Sequence, residues 1–287
     1  MPGPAAPFRR AVTPARALAA LVVLAAALLF AFVVAPRTLA ARGAHQEFAG
    51  QGDLVAASGE AFVGYWGSGG RALTPDLERL VDYWYRYHVA KGVIAALLLI
   101  VLVLVGVLLW KAFLRTGGDG AVGRTVLASA GVLDAVLVLA AAAAVMANVQ
   151  GAAAPLSSLL SMLPTGGGGE IGSTIDQIGP HLAGASGTGG RTPPALGAMV
   201  DDFSWFHAVM AVIAGVVAVV FAGIGVWFRT RFARARSSDR RTRRLWAAFG
   251  ALAALSTLVM VVVCVANVST AARPEPALLA FFEGGTL

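Results

Sequence analysis

The chain has 287 residues, of which 58% are hydrophobic and only 13% are charged, and its formal net charge at pH 7 is +7. A soluble domain of this length cannot bury so much apolar surface, so the composition excludes an ordinary globular protein and indicates a membrane protein. Most of the basic residues flank apolar runs, so the positive charge is a topology signal and predicts no nucleic-acid partner. The single cysteine, Cys264, excludes a disulfide within the chain.

Five apolar runs are long enough to cross a hydrocarbon core of about 30 Å, which takes roughly 20 helical residues. A helix is the expected form because it satisfies its own backbone groups where no water is present. The predicted spans are residues 17–35, 92–110, 126–147, 208–228 and 245–268. The sequence therefore predicts an all-α polytopic membrane protein with five transmembrane helices.

The N-terminal segment, residues 1–16, places Arg9 and Arg10 ahead of the first apolar run, and two interpretations stand. The arginine pair fits a twin-arginine export signal, and cleavage after Ala40 would leave four spans. However, the residues after the pair depart from the export consensus, and the apolar run is longer than a signal core. These two features favour a retained first span, which is our prediction.

Two outer segments follow from this layout, at residues 36–79 and 164–198. Each ends in helix-start signals, Thr74-Pro75 in one and Thr192-Pro193-Pro194 in the other, well before the apolar run. We therefore expect helices that project beyond the membrane. The second segment also carries apolar residues at helical spacing: Ile171, Ile175, Ile178 and Leu182.

The strongest pattern is a membrane hairpin that occurs twice at an offset of 119 residues. About 25 of the 84 positions in residues 80–163 match residues 199–282 without a gap. This agreement predicts a tandem duplication, which builds a pseudo-twofold four-helix bundle with the first span on its periphery and a short tail at residues 283–287. Short apolar runs that follow the third and fifth spans either lie on the outer leaflet or cap the bundle.

Basic residues set the predicted orientation. Fourteen of the 22 lie before the first span or in the loops after the second and fourth, and eight of these are arginines in residues 229–244. Lys and Arg favour the cytoplasmic side, so we predict a plasma-membrane protein with a cytoplasmic N-terminus and an extracytoplasmic C-terminus. The arginine-rich loop is either a stop-transfer signal or a surface for anionic lipids, at about 1 kcal/mol per arginine.

Asp134 lies near the middle of the third predicted span, where an ionised carboxylate costs several kcal/mol unless it is paired, neutral or exposed to water. Its counterpart in the second hairpin is Ala253, so the acid is not part of the repeated pattern. Ser256 and Thr257 of the fifth span are candidate hydrogen-bond partners. Two interpretations stay open, a protonated structural residue and a site for protons or cations.

His88 and His207 occupy equivalent positions near the outer boundary, and two imidazoles brought together by symmetry could bind a metal or haem. The alternative is a pair of ordinary interfacial histidines. Other repeated polar positions are Asp82 with Asp201 and Asn148 with Asn267. We expect Asp82 to pair with Arg86 at i+4, and the asparagines to satisfy helix ends or to hydrogen-bond across the bundle.

No HExxH, Gly-x-Ser-x-Gly, Walker or CxxC motif occurs in the sequence, so an enzyme is disfavoured and no cofactor is expected. The stretch Asp82-Tyr-Trp-Tyr-Arg-Tyr-His88, in an arginine-rich and lysine-poor chain, resembles uncharacterised multi-pass membrane proteins of actinobacteria. That resemblance implies a bacterial membrane protein and no activity. We predict an accessory or assembly component with a membrane-protein partner or a second copy; the alternatives are a small transporter that uses Asp134 and a haem or metal protein.

Overall fold

The computed structural model describes residues 14–44, 48–115, 121–163, 169–185, 192–237 and 239–284. These residues form nine helices and no strand. The helices are α1 (Pro14–Ala44), α2 (Gln51–Ser68), α3 (Pro75–Arg115), α4 (Ala121–Ala153), α5 (Pro155–Leu160), α6 (Glu170–Ala185), α7 (Pro194–Arg234), α8 (Arg240–Ala272) and α9 (Pro274–Phe282). Five of these helices, α1, α3, α4, α7 and α8, are long and apolar enough to cross a membrane. The prediction of an all-α polytopic membrane protein with five spans is confirmed.

The long helices extend well past their apolar runs. Helices α3 and α7 have 41 residues each and begin at Pro75 and Pro194, as the helix-start signals predict. At a rise of 1.5 Å per residue each is about 60 Å long, twice the hydrocarbon thickness. Helix α1 likewise runs to Ala44 through Pro36, past the predicted end of the first span at residue 35.

Helix bounds recur at the offset found in the sequence. Helices α6, α7, α8 and α9 each begin 119 residues after α2, α3, α4 and α5, respectively. The paired long helices also have equal lengths, 41 residues for α3 and α7 and 33 for α4 and α8. Helix α2 is not among the elements predicted from the sequence, which treated residues 36–79 as an outer segment.

The chain divides into two compact units, and the first comprises residues 1–34 and 93–144. Within its described part, helix α1 packs against the α3–α4 hairpin through two apolar clusters. One cluster sets Ala25 and Leu28 of α1 against Leu98 and Leu102. The other, around Val101, Val105 and Leu109, receives Leu18 and Leu21. The first hairpin is therefore covered on this face by the N-terminal helix.

The second unit comprises residues 35–92 and 145–287 and holds the main apolar core. That core joins α2, α5, α6 and α9 to residues 75–92 of α3 and 194–207 of α7, an assembly that we call the cap. Its largest fully buried side chains include Phe62, Tyr65, Met199, Phe203 and Leu278. Leu160 of α5 and Ile178 of α6 are buried with them, so all four short helices contribute to the same core.

The short apolar runs that follow α4 and α8 are part of this core. Leu159 of α5 and Leu278 of α9 are almost fully buried within it. Of the two alternatives for these runs, the structure therefore supports capping rather than a position flat on a leaflet. The predicted amphipathic segment of the second outer region is helix α6, whose Ile178 and Leu182 face the same core.

Candidate functional site

His88 lies in the cap portion of α3, at the centre of a chain of hydrogen bonds. Its Nδ1 is 3.0 Å from Asn148 Oδ1, and its Nε2 is 3.0 Å from Ser158 Oγ. Trp84 Nε1 donates to the same Ser158 Oγ at 3.0 Å. Because Asn148 Oδ1 can only accept, Nδ1 carries the imidazole proton and donates it. Nε2 of the neutral ring then accepts from the Ser158 hydroxyl, whose oxygen accepts from the indole. The network is complete with a neutral histidine.

A glycine makes room for this ring. A Cβ added at Gly151 of α4 would lie 2.6 Å from His88 Cε1, closer than side-chain atoms approach. The absence of a side chain at Gly151 therefore allows α4 to pass against the imidazole, and any larger residue there would displace His88 from Asn148 and Ser158.

The second hairpin has the same histidine–asparagine contact. His207 Nδ1 is 2.8 Å from Asn267 Oδ1, and Asn267 Nδ2 donates to the carbonyl of Val263 at 2.9 Å. However, Nε2 of His207 is buried without a hydrogen-bond partner among the described residues. The position equivalent to Ser158 is Ala277, which has no hydroxyl to offer. The two hairpins thus share one half of the network and differ in the other.

These contacts bear on the proposed metal or haem site. Both ring nitrogens of His88 already have hydrogen-bond partners, so a metal could bind only after one of these bonds is broken. Within the described ranges, no group of three or more His, Cys, Asp or Glu side chains is placed to hold a metal ion. Both histidines are hydrogen-bonding residues that join helices. His207 is buried and links α7 to α8, and His88 is partly buried and links α3 to α4 and α5.

Three further contacts join elements of the first hairpin to α7, and the sequence predicted none of them. Asp202 accepts hydrogen bonds from Ser157 N and Ser157 Oγ, both at 2.7 Å. Gln150 Nε2 donates to the carbonyl of Phe206 at 3.1 Å, and Trp205 Nε1 donates to the carbonyl of Ala153 at 3.2 Å. None of these polar residues is repeated at the 119-residue offset, so the repeat gave no signal for them.

Asp202 also caps the N-terminus of α5. The residue at the N-cap of α5 is Ala154, whose side chain cannot accept a hydrogen bond. The carboxylate of Asp202 accepts the free backbone N–H of Ser157 in the first turn instead, a position where negative charge is favourable. A residue on α7 therefore fixes the start of α5.

The repeated acids Asp82 and Asp201 lie on the surface. Asp82 pairs with Arg86 at 2.8 Å, as the i+4 spacing predicts, and Asp201 pairs with Arg71 at 2.5 Å. All four side chains are more than 40% exposed, so each pair contributes little to stability.

Asp134 is placed on α4 against a glycine of α3. The residue is 7% exposed, and its Oδ1 has no hydrogen-bond partner among the described residues. A Cβ added at Gly106 would lie 2.5 Å from Asp134 Oδ2, so the carboxyl occupies the space that this glycine leaves free. Thr257, a candidate partner, donates its hydroxyl to the carbonyl of Ala253 in its own helix. The equivalent glycine, Gly225, faces Ala253.

The arginine-rich segment at residues 229–244 is mostly helical. Its first arginines belong to the last turns of α7 and its last ones to the first turns of α8, with Asp239 capping α8 by accepting Thr242 N at 3.0 Å. Arg231 lies 5.1 Å from the ring centre of Trp227, and Arg243 lies 4.5 Å from that of Phe232. These cation–π contacts hold the guanidinium groups at the helix ends.

Comparison with models of known families, with curated proteins and with solved structures finds no match for this chain.

Proposed function

We propose that this chain is a non-enzymatic protein of the bacterial plasma membrane whose cap lies outside the cytoplasm and holds another membrane protein in an assembly. The observation that carries the proposal is the packed cap. Crossing a membrane five times does not require α2, α5, α6 or α9, yet these helices bury their apolar faces in a single core. Such a core keeps an external surface rigid, which lowers the entropic cost of binding a partner.

Hydrogen bonds between the helices at the cap support the same proposal. The His88, Asn148 and Ser158 network joins α3, α4 and α5, and Asp202 joins α5 to α7. Buried polar networks that are fully satisfied make a protein interior rigid and specify one arrangement. We infer that the cap presents one fixed surface.

The exposed face of α2 and the adjoining start of α3 form the candidate contact surface. A cleft of about 360 Å³ lies there, lined by residues that include Glu60, Thr74, Asp76 and Arg79. Hydrogen-bonding and charged groups of both signs line this cleft, and Asp76 pairs with Arg79. Polar rims of this kind surround protein–protein contacts, so we expect the partner to present polar side chains here.

In-cell crosslinking tests this proposal. A photoreactive residue introduced at Ala56 of α2 or Asp176 of α6, both exposed on the cap, should give one discrete crosslinked product with a membrane protein of the host. Val262 of α8, an exposed apolar position away from the cap, is the matched control and should give none. Purification of a partnerless monomer, together with no product from either cap position, would contradict the assembly role.

Duplication is a further part of this account. We infer that a unit of four helices was copied, since helix starts recur at 119 residues and both copies keep the histidine–asparagine contact. The copy extends further than the matched residues 80–163 and 199–282, because α2 and α6 also correspond. Parallel repeats of this kind place both hairpins in the same orientation in the membrane.

A second candidate function is ion handling by Asp134, and one observation favours it. A buried carboxyl oxygen without a partner is costly, and such residues in spans are often part of ion or proton paths. Under this hypothesis Asp134→Asn should abolish proton or cation flux in proteoliposomes, while Ser129→Ala on the same helix leaves it unchanged. Equal flux with and without the carboxylate would exclude the role.

A further inference from the structure

The α7–α8 hairpin has an open apolar groove near its arginine-rich end. The groove has a volume of about 510 Å³, and its lining includes Phe221, Gly225, Trp246, Gly250 and Ala254. One charged residue, Arg229, lines it. At 1.5 Å per residue, the distance along α7 from Phe221 to Arg229 is about 12 Å, close to the hydrocarbon depth of one leaflet.

The equivalent face of the first hairpin is covered. Helix α1 packs there on a set that includes Leu102, Leu127 and Val138, whose counterparts Phe221, Trp246 and Thr257 line the groove. The exposure of the surrounding residues shows the same difference. Val101 and Val105 are 7% and 5% exposed, whereas their counterparts Val220 and Ile224 are 54% and 38% exposed. This face of the α7–α8 hairpin is therefore open within the described part of its own unit.

The size of the groove and the charge beside it indicate which kind of molecule fits there. A transmembrane helix is about 10 Å across and usually carries its own basic residues at the cytoplasmic end, where Arg229, Arg231 and Arg243 would repel them. An anionic phospholipid instead places an acyl chain in an apolar groove and a phosphate beside a guanidinium. Basic pockets between transmembrane helices on the cytoplasmic side are suited to such headgroups.

We propose that the groove between α7 and α8 binds one anionic phospholipid of the inner leaflet, with an acyl chain along Gly225, Gly250 and Ala254 and the headgroup at Arg229. Glycine and alanine at these positions leave the groove deep enough for the chain. This inference rests on the orientation in the proposed function, which places the arginines in the cytoplasm, and does not depend on a partner at the cap.

Lipid binding to the purified full-length chain tests the proposal. After removal of bound lipid, native mass spectrometry would measure retention of dioleoyl phosphatidylglycerol and of dioleoyl phosphatidylcholine. We expect the anionic lipid to bind at least tenfold more tightly. Arg229→Gln should weaken its binding about fivefold, while Arg244→Gln, at an arginine that does not line the groove, should change it less than twofold.

Filling the groove separates this site from general attraction to the membrane. Ala254→Phe should reduce retention of phosphatidylglycerol at least tenfold, whereas Val219→Phe, on an exposed part of α7 outside the groove, should not. Circular dichroism and gel filtration would establish that both variants are folded. Equal retention of the two lipids, an Ala254→Phe variant that binds normally, or a polypeptide seated in the groove would each overturn the proposal. Cap crosslinking is a separate measurement, so failure of the partner would not be confused with failure of the lipid site.

Discussion

At the scale of single residues, Ser158 and Ala277 account for the difference between the two histidine sites. The hydroxyl of Ser158 bonds to His88 Nε2 and accepts a hydrogen bond from Trp84. His207 Nε2 has no such partner in the described structure. A buried polar atom without a partner carries a desolvation cost, so the presence or absence of this one hydroxyl should have a measurable effect on stability.

The exchange of these two residues gives a reciprocal prediction. Ser158→Ala should lower the free energy of unfolding by about 1 to 3 kcal/mol, because it leaves the Trp84 indole N–H and His88 Nε2 unpaired. Ala277→Ser should raise it by about 0.5 to 1.5 kcal/mol by supplying the missing partner of His207. Equilibrium unfolding in mixed micelles would measure both. A loss of stability in both variants would contradict the prediction that a serine hydroxyl can serve either histidine.

The glycine opposite Asp134 allows a second comparison at this scale. Gly106→Ala should destabilise the protein by about 1 to 3 kcal/mol, because the new Cβ would lie 2.5 Å from Asp134 Oδ2. Gly225→Ala is the matched control, since its Cβ would lie 3.6 Å from Ala253 Cβ, an ordinary contact. Unfolding of both variants in micelles measures the difference.

Removal of the carboxylate should relieve this crowding. In the double variant Gly106→Ala with Asp134→Ala, we expect most of the lost stability to return, because the first hairpin then has the same pair of residues as the Gly225→Ala variant of the second. A double variant no more stable than Gly106→Ala alone would contradict the close approach of α3 and α4 at these residues.

At the scale of the elements, Tyr65 connects α2 to α7. Its hydroxyl is 3.2 Å from the carbonyl oxygen of Arg71 and 3.3 Å from that of Ala195. Burial raises the pKa of Tyr65 above its ordinary value of 10.0, with a smaller opposing effect from Arg71. The neutral phenol is therefore the form that the cap accommodates.

This pKa shift predicts alkaline sensitivity of the cap. The contribution of Tyr65 is fully present below pH 10 and is lost as the pH rises from there through the raised pKa in the folded state, because the unfolded chain ionises first. Tyr65→Phe should lower the free energy of unfolding by about 1 kcal/mol at pH 7. It should also make that free energy less dependent on pH in the alkaline range. Unfolding measured from pH 8 to pH 11 checks this, and an unchanged slope in the Phe variant would contradict it.

Several elements could be predicted from the sequence because their signals are local. Proline at the first turn set the starts of α3 and α7, and apolar residues at helical spacing set α6. The same spacing is present in α2, where Leu54, Ser58, Ala61 and Tyr65 are buried. Because Ser58 is polar and Ala61 is small, the buried face of α2 has no clear amphipathic pattern, and the sequence did not predict this helix.

The polar contacts of the cap could be predicted only in part. Asp82 with Arg86 depends on spacing within one helix, and the sequence predicted it. The pairing of Asp202 with Ser157, 45 residues away, depends on how α5 lies against α7. A carboxylate beside a repeated acid gives no signal for such a contact, and its partner became evident only in the folded chain.

At the scale of the whole molecule, the central claim is that two hairpins enter the membrane from the side of the cap and leave their arginine-rich ends in the cytoplasm. The orientation of the long helices then determines the role of every surface. In the proposed orientation, the cap faces outward for a partner, and the groove beside Arg229 faces the inner leaflet.

Labelling of engineered cysteines in intact cells tests this claim most directly. In a Cys264→Ala background, Ser173→Cys on the exposed surface of α6 should react with a membrane-impermeant maleimide added outside the cells. Ser237→Cys, in the connection between α7 and α8, should react only after the membrane is permeabilised. Labelling of the cysteine at position 237 from outside intact cells would contradict the account.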